Sequence, residues 1–262
     1  MSAICSSCQL CKLFNAKKLK QQMGIIPPER LIPAPPFNSS ALDLFGPFSV
    51  RGEVQKRISG KALGLIITDI CSRAVHIEAM FGYSTEQFMI ALRRFASLRG
   101  WPAVIYSDPG TQLKGAQSDL RKVWESIDRD QLQILGAHKG LKWTFGPPDS
   151  PWYQGTVESL IKNAKKAISI AVGSSRLSVP EILTVFTEAA NMVNERPIGY
   201  MPGADSVINI LTPNSLLLGR STAQNPGGYD PNPSPQSRLS QVERITEQFW
   251  RNWRELYAPT LV

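Results

Sequence analysis

Three carboxylates and a row of ammonium groups mark out the chemistry open to this 262-residue chain. Glu158 follows the run Gly146-Pro147-Pro148-Asp149-Ser150-Pro151-Trp152-Tyr153-Gln154-Gly155, where a loop rich in Pro and Gly hands over to an expected helix. Lys162 and Lys165 come at i+4 and i+7 from Glu158, so the three share one helical face, and Lys166 adds a further charge beside them. Upstream, Asp43 interrupts the apolar run Ala41-Leu42-Asp43-Leu44-Phe45. Asp108 ends Ala103-Val104-Ile105-Tyr106-Ser107-Asp108 and is followed at once by Pro109-Gly110-Thr111-Gln112. A charge inside an apolar strand is costly unless it is paired or bound to a cation. A carboxylate at the end of a strand, just before a glycine turn, is where open α/β sheets put their ligands. Taken singly, each acid reads as a cap or turn residue. Together they offer hard oxygen ligands for two Mg²⁺ ions roughly 3.5–4 Å apart. Such a pair activates a nucleophile and stabilises the leaving oxygen of a phosphodiester displacement.

The elements that would position these groups follow from periodicity. Asp43 marks a first strand. Lys61 to Ile70 and Arg73 to Ala79 read as second and third strands, apolar and β-branched, with Glu53 to Gly60 as the hairpin region. Ser84-Thr85-Glu86-Gln87 is a capping box. Behind it Phe88, Ala91, Leu92, Phe95 and Leu98 recur at helical spacing until Gly100 and Pro102 stop the helix. A fourth strand leads to Asp108, Ser118 to Ile127 reads as a second helix, and Leu141 to Phe145 as a fifth strand. Between the last two, Gly136-Ala137-His138-Lys139-Gly140 reads as a mobile loop, which gives His138 no catalytic part. His76 reads as a strand histidine rather than a ligand, and Asp69 as a strand-end turn residue. Val179 to Glu195 is amphipathic and ends at Arg196-Pro197. A final stripe, Leu239, Val242, Ile245, Phe249, Trp253 and Leu256, predicts a helix over Leu239 to Tyr257 that needs an apolar partner: the core, another copy, or sequence beyond this chain. Periodicity alone indicates a mixed α/β protein.

A net charge of +8 and a pI near 9.4 favour a polyanionic partner. No apolar run is long enough to span a bilayer, and the chain is expected to be soluble and intracellular. Cys5, Cys8 and Cys11 crowd together at zinc-ligand spacing, but the only histidines, His76 and His138, lie far away. Cys71, alone beside an apolar strand, is expected to be buried and inert.

A wider set of residues carries a resemblance. It comprises Met23-Gly24 with Pro27 and Arg30; Asp43-Leu44-Phe45-Gly46-Pro47; Ser72 to Glu78; Arg94-Phe95; Arg99-Gly100-Trp101-Pro102; Ser107 to Thr111 with Gly115-Ala116; Trp143 to Pro148; Gly155 to Glu158; Asn194 to Pro197; and Leu211 to Gly219. In that order they resemble the integrase of an LTR retrotransposon, most closely the BEL/Pao group. The resemblance implies an RNase H-like fold, a mixed five-stranded sheet with flanking helices. It also implies a polynucleotidyl transferase that trims element ends and joins them to host DNA, with endonuclease activity. Asp43 would bridge two Mg²⁺ (or Mn²⁺) ions, with Asp108 and Glu158 each holding one of them. Lys162, Lys165 and Lys166 would contact phosphates of the element end, and Trp152 and Tyr153 are placed to stack on an unpaired base. Cys8 and Cys11 match the Cys pair of the family's zinc module, whose His pair is missing here, so Zn²⁺ binding is expected at most through the cysteines. The family further implies element and target DNA as partners, a homo-oligomer, a polyprotein origin and work in the nucleus.

On this basis the chain divides into a basic, partial zinc-module segment (1–36), a catalytic core (37–200), a linker rich in Pro and Gly (201–237) and a C-terminal amphipathic helix (238–262). Two departures stand out: Pro109 follows the second acid where the family usually has Asn, and Gln112 sits where Asn is common. They keep a second class of function open, a degenerate or domesticated fragment that binds nucleic acid or protein without catalysis. A third, another RNase H-like ribonuclease or resolvase, is disfavoured by the Lys face.

Overall fold

The computed structural model describes residues 31–52, 59–107, 126–145, 155–201, 209–220 and 238–261. The central sheet has five strands: β1 (Ser39–Arg51), β2 (Ser59–Asp69), β3 (Val75–Met80), β4 (Val104–Ser107) and β5 (Lys142–Phe145). Their order across the sheet is β3-β2-β1-β4-β5. The first three run antiparallel as a meander, and β4 and β5 are parallel to β1. With helices on both faces, this is the RNase H-like arrangement expected from the sequence. Packed on or beside the sheet are α1 (Thr85–Arg99), α2 (Arg129–Lys139), α3 (Gly155–Val172), α4 (Val179–Asn194), α5 (Pro213–Leu218) and α6 (Arg238–Tyr257).

Strand alternation sorts the core into two layers. Leu42, Leu44, Leu63, Leu65 and Ile67 pack with Phe88, Ala91, Leu92 and Phe95 of α1. On the opposite face, Ala41, Phe45, Ile66, Val75 and Ile77 pack with Leu160, Ala164 and Ile168 of α3 and Val185, Phe186 and Val193 of α4. Where β1 pairs with β2, Phe45 lies opposite Gly64, and a Cβ there would meet the Phe45 ring at 2.1 Å. Only glycine fits that position.

At the outer edge, the Asn194 amide of α4 clamps β3. Val75 donates its N–H to Asn194 Oδ1 at 2.7 Å, and Asn194 Nδ2 donates to the Val75 carbonyl at 2.7 Å. Arg94 of α1 donates to the carbonyl of Ala79 on the same strand.

The second and third strands and α1 lie within a residue or two of their expected bounds, the strand marked by Asp43 runs on to Arg51, and Gly100 caps α1 with φ 88°. Two expectations are corrected. The stretch around His138 is the last turn of α2 rather than a loop: Asp128 caps it by accepting from the N–H groups of Asp130 and Gln131, and Gly140 ends it in the left-handed region. Cys71 is exposed, not buried, because it sits in the turn after β2. There Asp69 Oδ2 accepts from the N–H and hydroxyl of Ser72, which turns Cys71 outward. The Ser118–Ile127 helix lies outside the described residues except for Ser126 and Ile127.

Across the expected boundary at residue 200, a short hairpin of β6 (Gly199–Met201) and β7 (Asn209–Leu211) leads into α5, capped by Thr212. The Pro226 to Pro235 stretch lies outside the described residues. Of the three partners open to the C-terminal stripe, the structure supplies the core: α6 packs on α3 and α4, with Val242, Ile245, Phe249 and Trp253 in the shared layer.

Candidate active site

Asp43 sits on the central strand, on the face that Ala41 and Phe45 present to α3. Its side chain is 37% exposed, so it looks out of the core edge rather than into it. Oδ1 accepts the N–H of the next residue, Leu44, at 2.7 Å, which fixes the carboxylate plane. Oδ2 takes an ion pair from the ammonium of Lys165 on α3, and the same ammonium donates to the Leu44 carbonyl at 3.1 Å. A cation thus already rests between a carboxylate oxygen and a carbonyl oxygen. Both are hard donors of the kind Mg²⁺ selects, so the site's chemistry fits a divalent ion.

Asp108 itself lies outside the described residues, but the strand that leads to it does not. Ser107 is fully buried and pairs with Leu42, one residue before Asp43. Trp143 of β5 donates its indole N–H to Ser107 Oγ at 2.9 Å, tying the end of β4 to β5. Trp143 lies near Phe88 and stacks with Phe145, over which the Arg129 guanidinium sits at 4.9 Å. Glu158 belongs to the first turn of α3, seven positions before Lys165 in the same helix. Its side chain lies outside the described residues, as do Trp152, Tyr153, Cys8 and Cys11.

The lysine face divides into two kinds of residue. Lys162 and Lys166 are exposed, whereas Lys165 is only 20% exposed in its side chain and is bound to Asp43. Beneath them Leu160, Ile161, Ala164, Ala167 and Ile168 are buried and seat the helix on the sheet.

A second charged cluster lies on β3, on the α1 side. Glu78 Oε1 is 3.0 Å from His76 Nε2, and Oε2 accepts from Arg94 Nε at 2.8 Å. Burial alone would raise the Glu78 pKa, but hydrogen bonds and charge from His76 and Arg94 outweigh it and hold the carboxyl below its ordinary value. His76 packs near Phe37 and Phe95, which makes it the strand histidine expected rather than a ligand. Asp69 is the turn residue expected, with its carboxylate consumed by Ser72. Arg196, 5% exposed, donates to the carbonyls of Val193 and Arg73, and burial lowers its pKa to about 10. Among the described residues no group of three His, Cys, Asp or Glu side chains gathers as a metal site.

Sequence reading missed the Asp43–Lys165 pair and the Trp143–Ser107 bond. Each joins residues far apart in the chain, and no local signal announces either one.

No protein-family model matches the chain, and no curated protein is similar to it. Among solved structures, it is similar to a chain in the cryoEM structure of the simian T-cell lymphotropic virus intasome in complex with PP2A regulatory subunit B56 gamma. That match has a TM-score of 0.48 and 15% identity, covering 89% of this chain and 70% of that one. It is also similar to the catalytic core domain of BIV integrase, with a TM-score of 0.43 and 15% identity, over 70% of this chain and 95% of that one.

Proposed function

We propose that the chain is a divalent-metal-dependent polynucleotidyl transferase, an integrase that trims the ends of retrotransposon DNA and joins them to host DNA. We take it to be of the BEL/Pao type that its sequence resembles. One observation carries this reading: the only acid in the apolar centre of β1 meets a cation borne by the helix whose first turn contains Glu158. Asp108, which follows Ser107 directly in the chain, would complete the donor set with Asp43 and Glu158.

Mg²⁺ or Mn²⁺ held by these three would lower the pKa of a water or a terminal 3′-hydroxyl and stabilise the departing oxygen. The chain's own residues supply orientation and grip. The Leu44 N–H holds the Asp43 carboxylate in plane, and the Trp143–Ser107 bond stiffens the strand end that leads to Asp108. Exposed Lys162 and Lys166 would neutralise phosphates, adding affinity without sequence preference. Trp152 and Tyr153 would stack on an unpaired base. No side-chain nucleophile is needed. Zinc at Cys8 and Cys11, a homo-oligomer, release from a polyprotein and residence in the nucleus belong to the same proposal.

The test is a Mg²⁺-dependent strand-transfer assay with matching element ends, comparing wild type with Glu158→Gln. Joining by the wild type alone is expected. Two equally inactive proteins that both retain DNA at low salt would make the chain a binding module instead.

A further inference from the structure

We propose that Lys165 is an exchangeable counter-ion of Asp43. Its ammonium holds the carboxylate while no divalent cation is bound, and entry of the cation expels it and frees it for a phosphate. The inference rests on the reading above only in taking Asp43 as a metal ligand.

The contacts argue for exchange rather than for a structural tie. Oδ1 of Asp43 already accepts the Leu44 N–H, and Lys165 sits on the other oxygen, Oδ2. The ammonium also takes the Leu44 carbonyl at 3.1 Å, so one charge covers both acceptors on this side of β1. A divalent ion and an ammonium on the same carboxylate oxygen repel, and the ammonium is the mobile one, a point charge on a flexible stem. The helix does not need the pair to stay docked. Leu160, Ala164, Ala167 and Ile168 already seat α3 on the sheet, and an ion pair with a partner this exposed contributes little to stability. Once released, Lys165 would join exposed Lys162 and Lys166 on the same helix, so cation entry would extend the phosphate-binding row by one charge.

An ion pair of this exposure is closed about 60–85% of the time, and apparent cation affinity scales with the open fraction, so removing the ammonium should tighten Mn²⁺ binding about 2.5- to 7-fold. The experiment titrates Mn²⁺ into the full chain without DNA and follows free Mn²⁺ by electron paramagnetic resonance, for wild type, Lys165→Gln, Lys165→Met and Asp43→Asn. Tighter binding in both lysine variants, with binding lost in Asp43→Asn, is the expected result. Two uncharged replacements of different shape guard against a folding defect in either one. Should Asp43→Asn lose Mn²⁺ while both lysine variants bind as wild type or more weakly, Lys165 is no competitor and the proposal falls alone. Should the wild type bind no Mn²⁺, or Asp43→Asn bind it unchanged, the metal-ligand reading of Asp43 fails and takes the proposal with it.

Discussion

Replacing Trp253 with alanine tests whether α6 is part of the folded core or an appendage to it. Trp253 is 2% exposed, lies near Phe249 with ring centroids 6.4 Å apart, and stacks on Tyr257 at 4.8 Å with rings 9° from parallel. Truncating a buried aromatic of this size typically costs about 3–5 kcal/mol, since transfer free energy and cavity terms add. That is a large share of the roughly 5–15 kcal/mol that holds a typical domain folded. With a urea slope of about 2 kcal/mol/M, the midpoint should fall by about 1.5–2.5 M. Circular dichroism during urea unfolding reads the change. The shift should appear as a single transition, because α6 shares its apolar layer with α3 and α4 and cannot leave without uncovering both. Strand transfer should fall at temperatures where the wild type works, since α3 carries both Glu158 and the lysine row. A midpoint within about 0.3 M of wild type, or an early transition involving only one helix's worth of signal, would refute this reasoning.

Asp43→Asn should lower strand transfer by at least about a hundredfold while leaving low-salt DNA affinity within about twofold, because the proposed phosphate grip lies on lysines. Unchanged turnover would remove Asp43 from the reaction. Lys162→Ala should flatten the slope of log affinity against log salt by about 0.9 if that residue meets one phosphate, and an unaltered slope would leave it a solvent-facing charge. Glu78 has a folded pKa below its ordinary value of 4.5, so the stability it contributes is present above that value and is lost as pH falls through the folded one. Glu78→Gln should therefore cost about 1.5–3 kcal/mol at neutral pH and flatten the acid limb of the stability–pH curve; an acid limb identical to wild type would show that the cluster is not what fails first in acid.

Much of the sheet and its first helix was legible because their signals are local. Alternation in β1 to β3, the Ser84 cap and the Gly100 stop each need only a few neighbouring residues to be read. The α2 helix was missed because Gly136, His138 and Gly140 look like a loop, although Asp128 and Gln131 already spell a cap. Gly136 is there for a reason that lies elsewhere: the Leu141 carbonyl would stand 2.5 Å from its Cβ. At the candidate site, the identity of Asp43 as an interrupting charge was visible, whereas its partner was not. Whether Lys162, Lys165 or Lys166 reaches β1 depends on how α3 is rotated against the sheet, which buried Ala164, Ala167 and Ile168 decide together. The exposure of Cys71 was likewise set by a turn closed through Asp69 and Ser72, not by the apolar strand beside it.

The clamp on β3 has a consequence for how such a chain behaves in company. In an antiparallel edge strand, alternate residues turn their backbone groups away from the sheet, here Val75, Ile77 and Ala79. An open edge of that kind is a template on which a neighbouring molecule can build a further strand. Asn194 fills both groups of Val75 and Arg94 fills the carbonyl of Ala79, so two of those three rungs are taken by the protein's own side chains. Two occupied rungs of three guard this border against fusing sheet to sheet with a neighbouring molecule.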